Sequence, residues 1–256
     1  MPAKLTVDQW KSLYLYGVPD VNPSTSAPFP EENYQYHLDY GYRALETLLD
    51  IAILPTEVVD ERQDYYYDQY AQWGYIRTFK KPVLSVESVR GMYPYYQTAL
   101  TIPQEWIVVD PVTGIINLMP VTGTLSQFIM TSGGQLLPHI FRFQSYVPRF
   151  WSLSYTAGFE EESIPEDLTD AAAKLACMSV LNILGDLVGG VGVLGSSIGM
   201  DGLSQFISLT KTATTSGFYG RILQYRTELF GSGMPGMTSQ MHMLKRKYRG
   251  IRVVNL

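Results

Sequence analysis

Three glycines in the second half of the chain, Gly190, Gly192 and Gly195, match the G-x-G-x-x-G spacing that holds the phosphates of a dinucleotide. In that chemistry the motif follows a β-strand and opens a helix, so that the pyrophosphate lies on the helix N-terminus. Here the preceding residues have helical periodicity, and no alternation of strands and helices surrounds the motif. The pattern therefore favours a flexible or tightly turning linker, and a nucleotide-binding enzyme stays a remote alternative.

The residue types that commonly carry catalysis or hold metals form no convergent set in this sequence. The three histidines, His37, His139 and His242, are far apart, and no HExxH spacing occurs. The single cysteine, Cys177, excludes an intrachain disulfide and a cysteine-based zinc site. Its place in an alanine-rich helical segment predicts a small core residue. The spacing G-x-S-x-G occurs at Gly195–Gly199 around Ser197, but no strand-to-helix elbow is predicted there. We predict a protein that is not an enzyme and that has no cofactor and no metal.

Two local clusters resemble parts of binding sites. Glu160, Glu161 and Glu162 place three carboxylates in a row, but neighbouring acids do not face each other, and solvated acids are common in a loop before a helix. The run DYYYDQY, from Asp64 to Tyr70, has the aromatic side chains of a sugar- or base-stacking surface. Its β propensity favours an exposed or subunit-facing strand instead.

Composition and charge predict a folded protein that assembles with partners. Hydrophobic residues make up 46% of the chain and charged residues 17%, and 19 tyrosines suit half-buried strands and interfaces. The net charge is -5, but residues 245–256 hold five of the 19 basic residues and no acid. The first 244 residues, with 14 basic and 24 acidic side chains, therefore carry -10. Such an acidic body argues against a protein that grips DNA phosphates.

Helical patterns occur at the start of the chain. Thr6 and Gln9 have the spacing of a capping box, which predicts a helix from Val7 to Tyr16 with Trp10, Leu13 and Tyr14 on one face. A second helix is predicted from Glu31 to Ile53 and is ended by Pro55. Its core stripe has spacings of four, three and four residues and comprises Leu38, Tyr42, Leu45 and Leu49.

The pattern from Val58 to Phe159 is that of β-strands, with no helix signal. A hairpin is predicted where two β-rich runs, Trp106–Val109 and Ile115–Leu118, flank the loop Asp110–Gly114. Further strands are predicted from their content of β-branched and aromatic residues: Trp73–Phe79, Val83–Val89, Phe128–Met130, Ile140–Phe143 and Phe150–Tyr155.

Helices return after this stretch. Pro165 opens a third helix that ends at Gly189-Gly190, with one face formed by Leu168, Ala172, Leu175, Ser179, Ile183 and Leu187. A fourth helix is predicted from Thr214 to Phe230, with anchors Tyr219, Ile222, Leu223 and Tyr225. A fifth runs from Thr238 to Tyr248. The sequence therefore predicts an α+β fold, with a helical bundle core and a large inserted β-sheet region.

Neither a secretory signal nor a membrane span is predicted. The N-terminal MPAKLTVDQW has no long apolar run, which favours synthesis in the cytoplasm. Val180–Met200 is apolar and contains G-x-x-x-G spacings, but Asn182 and Asp186 would lie within the bilayer and the glycines would weaken a helix.

Several segments, in the same order, resemble the head-to-tail connector (adaptor) family of tailed bacteriophages. The most specific is Tyr155–Phe159 followed by Ile164–Leu168 and an alanine-rich helix, which is similar to the family's "Y-x-A-G-(Y/F) … (I/L)-P". The others are the helices containing Leu5–Lys11 and Leu45–Ile51, the strand Lys81–Val89 and the glycine-rich Gly195–Ser204. This chain is longer than small members of the family, with a larger β region and a basic extension.

The resemblance implies a virion protein of the neck, between capsid and tail. It implies a homo-oligomeric ring, typically of twelve subunits, which docks below the portal, contacts tail or head-completion proteins and continues the DNA channel without sequence-specific binding. A C-terminal segment often engages the portal in such relatives, and the corresponding residues here are Lys245, Arg246, Lys247, Arg249, Arg252, Val253, Val254 and Leu256. A short charged tail of this kind can order on a partner, even by strand addition.

These interpretations divide the chain into four segments. Residues 1–54 would supply the first helices of the core, 55–159 the inserted β region, 160–244 the last helices and 245–256 a basic tail for docking. The alternative within the same virion is a tail-completion or decoration protein that contacts capsid or carbohydrate through its β region. Ring size and portal binding distinguish the two.

Overall fold

The computed structural model of the protein describes residues 4–21, 27–68, 75–93, 97–119, 145–189, 195–200, 203–208, 218–231 and 239–248. The chain divides into two compact units, one from Met1–Leu49 and Glu162–Leu256 and the other from Asp50–Glu161. The described residues of the first unit contain helices and one hairpin, and those of the second form antiparallel sheets. The predicted α+β class is confirmed, while the roles assigned to the four segments stay predictions.

The first helix, α1, spans Val7–Tyr14 and begins with the predicted capping box. The Gln9 amide donates to Thr6 Oγ1 at 3.3 Å, and the Thr6 amide donates to Gln9 Oε1 at 3.1 Å. These bonds satisfy amides that would otherwise have no partner at the start of the helix. Trp10 is fully buried, but the predicted face is wrong at Leu13, which is 69% exposed.

The second helix, α2, spans Glu31–Leu49, and all four residues of its predicted core stripe are buried. It ends at Leu49 rather than at the predicted Ile53. Asp50 adopts a φ of 57°, the left-handed conformation that ends many helices. The Ala52 amide then donates to the carbonyl oxygen of Lys81. Both residues belong to the second unit, which begins at Asp50.

The third helix, α3, spans Glu166–Gly189, with the predicted boundaries. Its single predicted face is wrong, because Ile183 is exposed while Ala173, Cys177 and Leu181 are fully buried on other faces. A helix that is buried on most sides is the centre of its unit. This helix is long and apolar enough to cross a membrane, but 67% of its most apolar window is buried within the folded chain, as in the core helix of a soluble protein.

Helices α4, Tyr219–Phe230, and α5, Gln240–Tyr248, pack on α3 together with α1 and α2. The predicted first residues of these two helices, 214–217 and 238, lie outside the described ranges. On α4, Tyr225 and Leu229 are buried, whereas Leu223, predicted as an anchor, is 44% exposed. Of the predicted anchors of α4, Tyr225 is therefore confirmed and Leu223 is wrong.

The second unit contains a four-stranded sheet in the order β1-β7-β3-β4 and a three-stranded sheet in the order β2-β6-β5. The predicted hairpin is confirmed as β5 paired with β6, although Trp106 belongs to a 3₁₀ turn, Gln104–Trp106, in a stretch predicted to have no helix. The strands are β1 Thr56–Tyr66, β2 Tyr75–Arg77, β3 Val83–Tyr93, β4 Gln97–Thr101, β5 Ile107–Asp110, β6 Ile115–Leu118 and β7 Tyr146–Ala157.

Strand β7, one of the two central strands of the larger sheet, contributes most to the core of this unit. Phe150, Leu153 and Tyr155 are almost completely buried, and the Phe150 ring lies edge-on to Tyr65 at 5.9 Å between ring centres. The predicted strands Phe128–Met130 and Ile140–Phe143 lie outside the described residues.

The glycine-rich stretch after α3 is not a plain linker. Gly195–Met200 and Leu203–Ser208 pair as an antiparallel hairpin, β8 and β9. Residues 190–194 lie outside the described ranges. The linker predicted for Gly190–Gly195 therefore lies almost entirely outside the described residues, and Gly195 itself begins β8. The candidate membrane segment Val180–Met200 is likewise not one helix, because α3 ends at Gly189.

Candidate functional site

The basic C-terminal segment begins inside a helix. Lys245, Arg246 and Lys247 occupy the last turn of α5, where cations stabilise the negative end of the helix dipole. The predicted end of this helix at Tyr248 is confirmed, so the segment 245–256, predicted as a basic tail, overlaps its last turn. Arg249, Arg252, Val253, Val254 and Leu256, the other predicted docking residues, lie outside the described ranges.

The C-terminal end of α5 is held by Asp167 in the first turn of α3. The carboxylate accepts hydrogen bonds from Lys247 Nζ and from the Tyr248 hydroxyl, each at 2.7 Å. The hydrogen bond to Asp167 is the main reason why the pKa of Lys247 is raised to about 12, and burial is the main reason why the pKa of Tyr248 is raised to about 12. An ion pair as exposed as this one contributes little stability, so its main effect is on orientation.

The N-terminal end of α5 is held by Gln240. Its Nε2 donates to Asp170 Oδ2 at 2.8 Å, and its Oε1 accepts from Lys174 Nζ at 3.3 Å. Since both ends of the nine-residue helix are bonded to α3, the direction in which the chain leaves α5 is set by the bundle.

A half-buried cation joins this contact to the other helices. Lys174 Nζ lies 2.9 Å from Asp170 Oδ2 on α3 and 2.9 Å from Glu228 Oε2 on α4. The Tyr14 hydroxyl at the end of α1 donates to Asp170 Oδ1 at 2.8 Å. We call these five residues, Tyr14, Asp170, Lys174, Glu228 and Gln240, the Lys174 network; it connects four helices.

The charges in the Lys174 network stabilise one another. Burial alone would raise the pKa of Asp170, but hydrogen bonds from Lys174, Gln240 and Tyr14 lower it. The hydrogen bond from Lys174 lowers the pKa of Glu228. Burial alone would lower the pKa of Lys174, but its two carboxylate partners raise it. All three groups are therefore held in their charged forms at neutral pH.

The surface that α5 presents is basic. Arg246 and Lys247 are exposed, and Lys245 is half-buried. Lys247 is paired with Asp167, whereas Lys245 and Arg246 form no ion pair with any residue that the structure describes. The arrangement offers two cations on a rigid support, which suits a partner with an acidic surface.

Cys177 has the structural role that its sequence context predicts. Its side chain is fully buried, and Trp10 Nε1 lies 3.1 Å from Sγ and 3.2 Å from the carbonyl oxygen of Ala173. Burial raises the pKa of the thiol to about 12, so thiolate is scarce at neutral pH.

We expect iodoacetamide to leave Cys177 unmodified in the folded protein under conditions that alkylate it completely in denaturant. Mass spectrometry of the intact chain, before and after unfolding, measures the difference. Equal alkylation rates in the folded and unfolded states would contradict the burial of the Cys177 thiol beneath Trp10.

The histidines show no sign of metal chemistry in the described part of the chain. His37 is buried on α2, and its Nδ1 lies 2.9 Å from Ser179 Oγ on α3; burial lowers its pKa. His242 is exposed on α5, and His139 lies outside the described residues. Among the described residues no group of three or more His, Cys, Asp or Glu side chains could hold a metal ion.

The acidic run, the aromatic run and the G-x-G-x-x-G motif show no binding-site geometry in the described residues. Glu160, Glu161 and Glu162 are exposed ahead of α3, as predicted. Asp64 of the aromatic run is in β1, where its carboxylate accepts from the Tyr146 hydroxyl and the Arg149 amide of β7. Helix α3, and not a strand, precedes the glycines of the G-x-G-x-x-G motif, which is the wrong context for dinucleotide binding.

Sequence patterns did not reveal the Lys174 network. Its members come from four helices, and only Asp170 and Lys174, four residues apart on α3, have a spacing that connects them. This pair and the position of Lys174, the only basic residue within the long apolar α3, were the available signals. A cation among buried alanines must have an anionic partner, but the sequence does not show that Glu228, Gln240 and Tyr14 from other helices join it.

Comparison with solved structures gives two partial likenesses. One is to a chain of the virion of a native gene transfer agent (GTA) particle, with 13% identity and a TM-score of 0.44, over 99% of this chain and 93% of that chain. The other is to a chain of the neck of an empty GTA particle computed with C6 symmetry, with 17% identity and a TM-score of 0.39, over 68% of this chain and 76% of that chain. No family model and no curated protein matches the chain. Identities and TM-scores this low carry no argument about function.

Proposed function

We propose that the chain is a head-to-tail connector subunit in the neck of a tailed phage-like virion. In this role it is a structural protein and not an enzyme. After synthesis in the host cytoplasm, twelve copies form a ring below the portal, continue the DNA channel and contact tail or head-completion proteins. Genomic DNA passes through without sequence-specific binding.

The ordered resemblance of several segments to the connector family supports the choice of class. The most specific segment, Tyr155–Phe159 with Ile164–Leu168, joins the end of β7 to the start of α3. It therefore lies where the chain leaves the β unit and re-enters the helical unit. An insertion in a helical core must end at such a junction.

The anchoring of α5 carries the proposal that the C-terminal residues dock on the portal. Asp167 and Gln240 bond the two ends of this helix to α3, and its last turn presents Lys245 and Arg246. A tail that leaves a fixed helix loses less conformational entropy on binding than one that leaves a mobile segment. Docking through residues 245–256 therefore benefits from the Lys174 network.

The acidic body is consistent with a channel that lets DNA pass. The first 244 residues carry a formal charge of -10, so a wall formed by them attracts few phosphates. DNA bound through many basic contacts would be held rather than released.

Cryo-EM of intact virions, focused on the neck, tests the proposal. We expect a ring of this chain directly below the portal, with residues 245–256 on the portal surface. Absence of the chain from the neck would overturn the proposed function. A position in the tail or on the capsid surface would instead identify a tail-completion or decoration protein.

Removing two positive charges tests the docking residues separately. We expect Lys245→Gln/Arg246→Gln to weaken binding to the purified portal at least about 10-fold, because each lost charge pair at an interface costs on the order of 1 kcal/mol. Surface plasmon resonance measures the change. The control Arg77→Gln/Lys80→Gln removes the same charge from exposed positions in the β unit. Equal weakening by both variants would show that only net charge matters.

A further inference from the structure

The outward face of α2 carries two exposed tyrosines. Tyr36 is 63% exposed and Tyr40 is 49% exposed, and their spacing of four residues places them on one stripe with Glu32, Arg43 and Thr47. This stripe lies opposite the buried core residues of the same helix. Tyrosine combines apolar area with low conformational freedom and is enriched at protein interfaces.

The outward face of α4 carries a second exposed apolar stripe. Leu223 is 44% exposed and Phe230 is 45% exposed, and their spacing of seven residues places them on the same side of the helix. Arg226 is exposed next to this stripe. The core residues Tyr225 and Leu229 point away from it.

The two stripes lie on opposite sides of the helical unit. Helix α2 packs on the side of α3 that carries Ala172 and Ala176. The two helices are so close there that position 41 has no room for a side chain. Helix α4 is bonded through Glu228 to Lys174, which projects from the opposite side of α3 because two residues along a helix turn the side chain by about 200°.

The faces differ in charge as well as in position. Helix α2 contains four acids and one arginine, whereas α4 and α5 together contain five basic residues and one acid. Some of these charges are already paired within the chain: Asp39 with Lys4, Glu228 with Lys174 and Lys247 with Asp167. Helix α2 remains acidic and helices α4 and α5 remain basic, so α2 of one copy attracts α4 of another.

We infer that the α2 stripe of one copy docks on the α4 stripe of a second copy in a head-to-tail contact. Two different faces on opposite sides of a subunit produce a ring or a filament, whereas one self-complementary face produces a closed dimer. A ring of twelve turns by about 30° per subunit, so its two contact faces must be nearly opposite each other. This inference rests on the proposed ring and names the surfaces that build it.

Two interface variants of the full chain test the contact. Tyr36→Asp/Tyr40→Asp disables the α2 stripe and Leu223→Asp/Phe230→Asp disables the α4 stripe, and all four positions are exposed. We expect the wild type to self-associate beyond a dimer in sedimentation velocity, and each variant to weaken this by at least about 30-fold. Unchanged thermal unfolding shows that the variants fold.

An equimolar mixture of the two variants gives the decisive result. Each retains the face that the other lacks, so the mixture forms one contact and stops at twice the chain mass of 28.8 kDa. A control variant, Val112→Asp in the β5–β6 loop, removes an exposed apolar side chain elsewhere and keeps wild-type association. Any one of three results would overturn the inference. The mixture stays monomeric, one variant dimerises alone, or the wild type remains monomeric at the highest attainable concentration.

The neck map separates this inference from the proposed function. If the chain forms a neck ring through other surfaces, the contact is wrong and the function stands. If the mixed variants pair but the chain is absent from the neck, the contact stands and the function is wrong.

Discussion

Replacing Lys174 with methionine is expected to lower the free energy of unfolding by about 2 kcal/mol at neutral pH. Methionine keeps most of the apolar volume but leaves Asp170 and Glu228 without their cation, and a half-buried charge that loses its partner costs about 1–3 kcal/mol. Urea unfolding followed by tryptophan fluorescence measures the loss as a lower midpoint with unchanged slope.

The matched control for this variant is Lys247→Met. It removes a lysine that pairs with another carboxylate of α3, Asp167, but the Lys247 side chain is 61% exposed, against 15% for Lys174. Exposed pairs contribute about 0–1 kcal/mol. An equal loss in both variants would contradict the view that burial gives the Lys174 network its importance.

The effect of Lys174→Met should depend on pH in a defined direction. The pKa values of Asp170 and Glu228 are lowered from 3.8 and 4.5, so the stability that they contribute is present above these values and is lost as the pH falls through the lower pKa values of the folded state. The pKa of Lys174 is raised from 10.5, so its contribution is present below 10.5 and is lost as the pH rises through the higher folded value.

The difference in unfolding free energy between wild type and Lys174→Met is therefore expected to be constant between about pH 6 and 9 and to shrink toward about pH 3. Urea titrations at several pH values measure it. A difference that grows on acidification would show that the carboxylates are stabilised by groups other than Lys174.

Replacing Gly41 with alanine is expected to cost about 2 kcal/mol, although alanine favours helices by about 1 kcal/mol. A Cβ on Gly41 would overlap the carbonyl oxygen of Ala172 and lie 2.9 Å from the Ala176 Cβ and 3.0 Å from the Ala176 amide nitrogen. None of these atoms belongs to a flexible side chain that could move aside. The close approach of α2 and α3 therefore requires glycine at this position.

Gly220→Ala is the matched control for Gly41→Ala. Gly220 is also helical, on α4, but a Cβ there would meet nothing within 4 Å. Only the gain in helix propensity remains, so we expect this variant to be up to about 1 kcal/mol more stable. Thermal unfolding of both variants measures the contrast. A stabilised Gly41→Ala variant would show that α2 and α3 can move apart at no cost.

Local chemistry explains which elements could be predicted. Thr6 and Gln9 form the predicted capping box, because the two bonds involve residues only three apart. The buried core residues predicted on α2, the limits of α3 and the β5–β6 hairpin are also confirmed. In each case the signal is contained within a few turns of helix or within one loop, where backbone geometry alone decides which side chains share a face.

The failures have one physical origin. Leu13 and Leu223 fit an apolar periodicity but are exposed, since which part of a helix is buried depends on where its neighbours pack. α2 ends at Leu49 because Asp50 turns the chain toward the β unit, before the proline that was expected to end it. Gly195–Met200 and Leu203–Ser208 pair as a hairpin in a glycine-rich stretch for which no strands were predicted.

The sequence by itself determined the α+β class, the centres of most of the described helices and strands, the lack of a convergent catalytic set and the concentration of basic residues at the C-terminal end. Tertiary structure alone decided that Tyr14, Glu228 and Gln240 join the Asp170–Lys174 pair of α3, and that Lys245 and Arg246 extend from a helix anchored at both ends. The reason is the range of the interactions. Capping, turns, periodicity and pairs within one helix act over a few residues, whereas the ion pair of Lys174 with Glu228 needs groups that only the packing of α3 against α4 brings within 3 Å.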